Sequence, residues 1–171
     1  MFDSFEGLPE VTGYDVNDLN ARRSLQGVSW IAGQYAAGID LVKTNVEKFG
    51  EVSCCTFVKG WFEHTLKGEL PPQIAFAFTD VDLPSSAREC LLHIWPRLRE
   101  RGAFFSHDIA FIKVLQNLND EQLWKEVLRE HPPIFFGAGF GMGEASPNLG
   151  FAVKGKVTSE YIKSLTFDKR K

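Results

Sequence analysis

Three acids and an imidazole stand at the ends of two apolar runs near the middle of the chain. Asp80 and Asp82 follow IAFAFT, and His107 and Asp108 follow AFFS. Carboxylates and imidazoles are the side chains that most readily pass protons. Several like-charged acids in one place also need a compensating partner. Continuously apolar runs suit strands buried on both faces, the mark of a parallel sheet. Between them, Ala87, Cys90, Leu91, Ile94, Trp95 and Leu98 recur at helical spacing, and Pro84 stands where a helix begins. A right-handed crossover would lay both strands in the same direction, with their acidic ends on one edge of the sheet. That edge is where open α/β sheets bind ligands. Residues about 26 apart thus converge on one site.

The rest of the chain has to position this unit. The opening FDSFEGLPEVTGYD has the character of a strand's C-terminal end and the loop after it. A polar, turn-rich stretch follows to Ser29. Ile31, Tyr35, Ile39, Val42 and Val46 then predict a helix over Trp30–Lys48, stopped at Gly50. Val52–Val58 reads as a strand that contains Cys54 and Cys55. After Asp108, IAFIKVLQNL predicts a short helix. EQLWKEVLREH predicts another, capped by Asn119 or Asp120 and ended by Pro132 and Pro133. Ile134–Phe136 and Leu149–Val153 read as strands whose short connection requires an antiparallel pair. That connection contains Gly137, Gly139, Gly141 and Gly143, but Pro147 and a strand follow. It therefore lacks the helix N-terminus a nucleotide loop requires. Asp82 reads as a cap for the helix that starts at Pro84, as a residue that orients His107, or as a substrate-binding acid. His64, His93 and His131 read as structural or exposed.

Composition narrows the function classes. The length of 171 residues suits one domain with a real core. A net charge of −3 gives no electrostatic basis for nucleic-acid binding. No leader and no long apolar run is found, so neither secretion nor a membrane span is expected. The three cysteines form no CxxC pair, and buried, reduced thiols in a cytoplasmic protein are the expectation.

Four stretches occur in one order: FDSFEGLP at Phe2–Pro9, KGWFEHTL at Lys59–Leu66, TDVDLPSS at Thr79–Ser86 and SHD at Ser106–Asp108. Together they resemble the macrocin O-methyltransferase family, S-adenosylmethionine-dependent enzymes that act on sugar hydroxyls of natural products. The resemblance implies an α/β fold, the Rossmann-like sheet of class I methyltransferases, with strand order 3-2-1-4-5-7-6 and an antiparallel seventh strand. It implies that Asp3 bonds the cofactor ribose, with Ser4 beside it, and that Gly60, Trp61 and Phe62 lie near the adenine. It makes Asp80, His107 and Asp108 a set of ligands for a divalent metal, Mg²⁺ or Mn²⁺ foremost. Catalysis is then assigned to Asp80 and His107, the latter alternatively as general base. The implied partner is a small-molecule acceptor, with homo-oligomerisation left open.

Three departures accompany the resemblance. The glycine-rich first motif, which holds the methionine part of the cofactor, has no counterpart in the chain. His107-Asp108 stands where the family usually has two aspartates, and Asp80-Val81-Asp82 where it has Asp-Gly-Asp. The expectation is therefore an N-terminally truncated methyltransferase domain over residues 1–155, with strands 3–7 present and a basic tail over 156–171. In it strand 3 (Val52–Val58) would lose its neighbours and strand 4 (Ile74–Thr79) would expose an apolar edge. Weak or absent cofactor binding by these residues alone is expected. A non-catalytic binding or scaffolding domain derived from a methyltransferase is the alternative.

Overall fold

A computed structural model describes residues 1–16, 30–109, 111–137 and 149–155. The central unit forms as its pattern requires. Strand β3 (Ile74–Thr79), helix α4 (Pro84–Ile94) and strand β4 (Leu98–Ser106) follow one another, and β3 and β4 pair in parallel. Pro84 opens α4, where its missing N–H costs nothing. The stripe Ala87, Cys90, Leu91, Ile94, Trp95 and Leu98 is buried, every member. It packs with Leu66 of helix α3 (Phe62–Gly68), with Val114 and Leu118 of helix α5 (Ile112–Leu118), and with Leu123 and Trp124 beyond α5. Trp95 and Trp124 meet edge to face at 5.0 Å, the arrangement ring quadrupoles favour. Asp120 Oδ1 accepts from the N–H groups of Gln122 and Leu123, so the expected cap is in place.

Strand β6 (Gly150–Val153) runs antiparallel to β4, and strand β5 (Phe136–Gly137) antiparallel to β6. The four-stranded order β3-β4-β6-β5 reproduces the expected 4-5-7-6. Phe105, Phe151 and Phe136 stack in a row across these strands. The connection between β5 and β6, with its glycines from Gly139 onward, and the tail over 156–171 lie outside the described residues.

Strand β1 (Phe2–Asp3) and strand β2 (Val58–Lys59) form a separate parallel pair. Helix α3 leaves this pair and packs on α4, which ties the two sheets together. β3 is an edge strand on the side away from β4. Phe76 and Phe78 on it are 57% and 52% exposed, as expected of an apolar edge. Phe78→Lys should lower the unfolding free energy by no more than about 1.5 kcal/mol, since only half of the side chain is buried. It should also reduce light scattering on concentration, because charged edges resist pairing.

Two expectations are corrected. The strand over Val52–Val58 shrinks to Val58–Lys59, and Val52–Cys54 form a 3₁₀ turn. Glu51 accepts hydrogen bonds from both the N–H and the hydroxyl of Ser53. Such local bonds compete with a strand ladder. Cys54 and Cys55 are consequently exposed, and only Cys90 is buried. The helix predicted from Trp30 begins instead at Ile39, as α2 (Ile39–Phe49). Upstream of it, Gly33 and Tyr35 take positive φ, and Ile31 and Tyr35 are exposed. The turn is fixed by bonds from Leu8 N–H to the Gln34 carbonyl and from Gly33 N–H to the Leu8 carbonyl. Gly7 permits this approach, since a Cβ there would lie 2.5 Å from the Gly33 and Gln34 carbonyl oxygens. Gly50 ends α2 as expected.

Candidate active site

The site begins with the parallel ladder of β3 and β4. After Thr79 and Ser106 pair, His107 N–H continues the ladder to the Thr79 carbonyl at 2.8 Å. Its imidazole is thereby set beside Asp80, with Nδ1 3.2 Å from Asp80 Oδ1 and 3.8 Å from Asp108 Oδ1. One donor atom from each of Asp80, His107 and Asp108 lies within 4.8 Å of the others. The edge convergence expected from the two apolar runs is therefore present.

The three differ in surroundings. Asp80 and His107 are about half exposed, whereas Asp108 is buried. Asp108 Oδ2 accepts from the N–H groups of Val81 and Asp82 at 2.9 and 3.2 Å, which leaves Oδ1 toward His107. Burial, and secondarily the charge of Asp80, raise the Asp108 carboxyl above its ordinary value despite those two bonds. Asp82, at positive φ, is pushed up to about 6, chiefly by burial and then by the charges of Asp108 and Asp80. An acidic cluster held in this state has the donors and the uncompensated negative charge that a divalent cation requires.

Asp82 does not cap α4, contrary to the capping expectation. The residue before the helix is Leu83, with no side-chain cap. Ser85 N–H instead donates to Asp15 Oδ1 at 2.9 Å, from the four-residue helix α1 (Gly13–Val16). Asp15 is fully buried, and its Oδ2 accepts from both the N–H and the hydroxyl of Thr12. This role was absent from the sequence reading, although Thr12-x-x-Asp15 is the spacing of a helix-start box.

A cavity of about 670 Å³ opens beside Asp80, the member of the cluster that borders it. Asp3, Ser4, Gly60, Trp61 and Phe62 border it from the β1–β2 side, and Asp80 and Asp82 from the β3 side. The volume lies in the range of small-molecule and cofactor sites. Asp3 Oδ1 accepts from Phe5 N–H, which fixes the carboxylate at the strand end. The Ser4 hydroxyl is engaged within the same loop, donating to the Gly7 carbonyl and accepting from Glu6 N–H. Gly60 has φ of +146°, and a Cβ there would crowd Thr65 Cγ2 at 2.9 Å. His64 is exposed, and His93 lies 3.3 Å from Glu89 one helical turn away.

Comparison with known proteins gives the family and the fold. A 4'-O-methyltransferase from Streptomyces olivaceus, named for 8-demethyl-8-(2,3-dimethoxy-alpha-L-rhamnosyl)-tetracenomycin-C, is 33% identical over 109 residues. The match covers 63% of this chain and 40% of that relative's length. Two solved structures share the fold. The O-methyltransferase NovP superposes with a TM-score of 0.65 at 16% identity, and the calicheamicin methyltransferase CalS11 with 0.56 at 18%. Each comparison covers 91% of this chain and 59% of the other. The family model described as Macrocin-O-methyltransferase (TylF) matches residues 1–127, and the chain belongs to that family.

Proposed function

We propose that this chain forms part of an S-adenosylmethionine-dependent O-methyltransferase that methylates a hydroxyl of a sugar-bearing small molecule, assisted by a divalent cation. The observation that carries the reading is that Asp80, which meets His107 and Asp108, also borders a cavity lined by Asp3 and Gly60–Phe62. The Streptomyces relative, named as a methyltransferase of a rhamnosyl-bearing molecule, supports a glycoside as the acceptor.

In this reading Asp3 accepts from the ribose hydroxyls, as a carboxylate can from two vicinal donors. Trp61 or Phe62 supplies an apolar wall for the adenine. Asp80, His107 and Asp108 would hold the cation, which lowers the pKa of the acceptor hydroxyl and orients it. The buried Asp108, anchored by two N–H groups, fixes the position of the set. Asp82 borders the cavity near Asp80 and takes the proton released by the hydroxyl, as a positioned carboxylate can. His107 is the competing base. With reacting atoms so held, positioning supplies much of the rate.

The glycine-rich turn that would hold the methionine end of the cofactor is not among these residues. Cofactor affinity of these residues alone should accordingly be weak. Trp61→Ala should weaken it by about a further tenfold in calorimetric titration, the scale of a lost aromatic wall. The reading is tested by Mn²⁺ titration, followed through the paramagnetic resonance of the free ion. Incorporation of a labelled methyl group into a rhamnosylated polyketide by the longer polypeptide completes the test. Absence of both ion binding and label transfer would overturn it.

A further inference from the structure

The cavity has a second wall that the proposed cofactor and cation contacts leave unused. Tyr14 of α1 borders it, far in sequence from Trp61 and Phe62. The ring is 42% exposed yet held from three directions. Its hydroxyl donates to Asn117 Oδ1, and Asn117 in turn donates to the Pro84 carbonyl at 2.9 Å. Lys113 Nζ lies 4.3 Å from the ring centroid and donates to the Tyr14 carbonyl. The next residue, Asp15, is fully buried and bonded to Ser85 N–H, three positions beyond Asp82 in the chain. A tyrosine fixed at its tip, at one face and through its neighbour has little rotamer freedom left to lose on binding. Around it the cavity presents short polar groups, among them Thr12, Ser85, Ser86 and Glu89.

An oriented aromatic plate with a rim of hydroxyls and a carboxylate has a definite complement. It suits a ligand with one apolar C–H face and a rim of ring hydroxyls, which describes a pyranose. Ser85 and Ser86 can both donate to and accept from sugar hydroxyls, and Glu89 can accept from them, while the plate desolvates the C–H face. We infer that Tyr14 is the platform on which the acceptor's sugar ring rests, and that Asp15, Asn117 and Lys113 are positioning residues that hold the plate. The inference rests on the methyl-transfer reading for its placement of the acceptor, but not for its measurement.

The probe is methyl α-L-rhamnopyranoside, and the readout is saturation-transfer NMR on the wild-type chain. The ring C–H protons of the sugar should receive saturation and shift upfield over the aromatic plate. Tyr14→Ala should weaken this by about threefold to tenfold, the scale of one aromatic contact. Tyr14→Phe, which keeps the plate, should retain most of it. Mn²⁺ affinity and the far-UV spectrum should be unchanged in Tyr14→Ala, which separates a lost platform from a lost fold. Equal sugar signals in wild type and Tyr14→Ala, or none in wild type, overturn the inference. Methyl transfer that persists in Tyr14→Ala of the longer polypeptide with an unchanged acceptor KM overturns it too, and leaves the methyl-transfer reading standing. A wild type without Mn²⁺ binding or label transfer overturns that reading instead, while the sugar signals still decide the role of Tyr14.

Discussion

Asp108→Ala should abolish divalent-cation binding and destabilise the fold together. The carboxylate contributes one donor to the Asp80–His107–Asp108 set. With it gone, an exposed aspartate and an exposed histidine remain, and affinity should drop by at least about 100-fold, as when a required ligand is lost. The stability effect has a separate cause. Asp108 Oδ2 is the acceptor for the N–H groups of Val81 and Asp82, and Asp108 is 1% exposed. Removing it strands those donors at a cost of about 1–3 kcal/mol. Asp108→Asn separates the two effects, since its amide oxygen can still accept from both donors while the anionic ligand is lost. Urea unfolding should therefore show Asp108→Asn close to wild type and Asp108→Ala well below it, with neither binding Mn²⁺. Wild-type-like ion affinity in Asp108→Asn would remove Asp108 from the ligand set.

Asp82→Asn should lower kcat of the active polypeptide by about 10²–10³-fold, the usual contribution of a positioned base. Its KM for S-adenosylmethionine should change little. The wild-type rate should climb with pH as Asp82 loses its proton, and the variant should lack that limb. His107→Gln is the control. If it, and not Asp82→Asn, erases the pH limb, the imidazole is the base. Stability carries the opposite sign. The folded-state value of Asp82 is raised from 3.8 to about 6, so folding favours its protonated form. That contribution is fully present below pH 3.8 and is lost as pH rises through about 6. Asp82→Asn should therefore match wild type near pH 4 and exceed it near pH 7. The gain should be about 1 kcal/mol, discounted for a half-exposed group. Chemical denaturation at the two pH values measures it.

The parts legible in the sequence were those governed by periodicity over long runs. IAFAFT, the α4 stripe and AFFS each state their own geometry, and the convergence of Asp80 with His107 and Asp108 follows from one crossover rule. The failures lie where a local bond outweighs a propensity. Val52–Val58 has strand-forming residues, yet the Glu51 carboxylate draws Ser53 into a turn. Ile31 and Tyr35 have helical spacing, yet a two-bond contact with Leu8 and Gln34 holds that segment out of the helix. The capping of α4 by Asp15 spans 70 positions, which no local pattern encodes. Asp82 was legible as an acid near the site. Its elevated affinity for a proton was not, because burial and the neighbouring charges exist only after folding.

The two-rung pairing of Phe2–Asp3 with Val58–Lys59 has a consequence for how a ligand would be felt. Two ladder positions make a thin structure, and among the described residues no strand bond joins it to the larger sheet. Its amides should exchange with solvent by local opening long before those of Phe104 or Ala152, which sit in the buried centre. A molecule that bridges Asp3 and Asp80 across the cavity would span a seam the backbone leaves unstitched. Exchange at Val58 and Gly60, whose N–H groups donate to the Met1 and Asp3 carbonyls, should then slow in proportion to occupancy, which makes those two amides the natural reporters of filling.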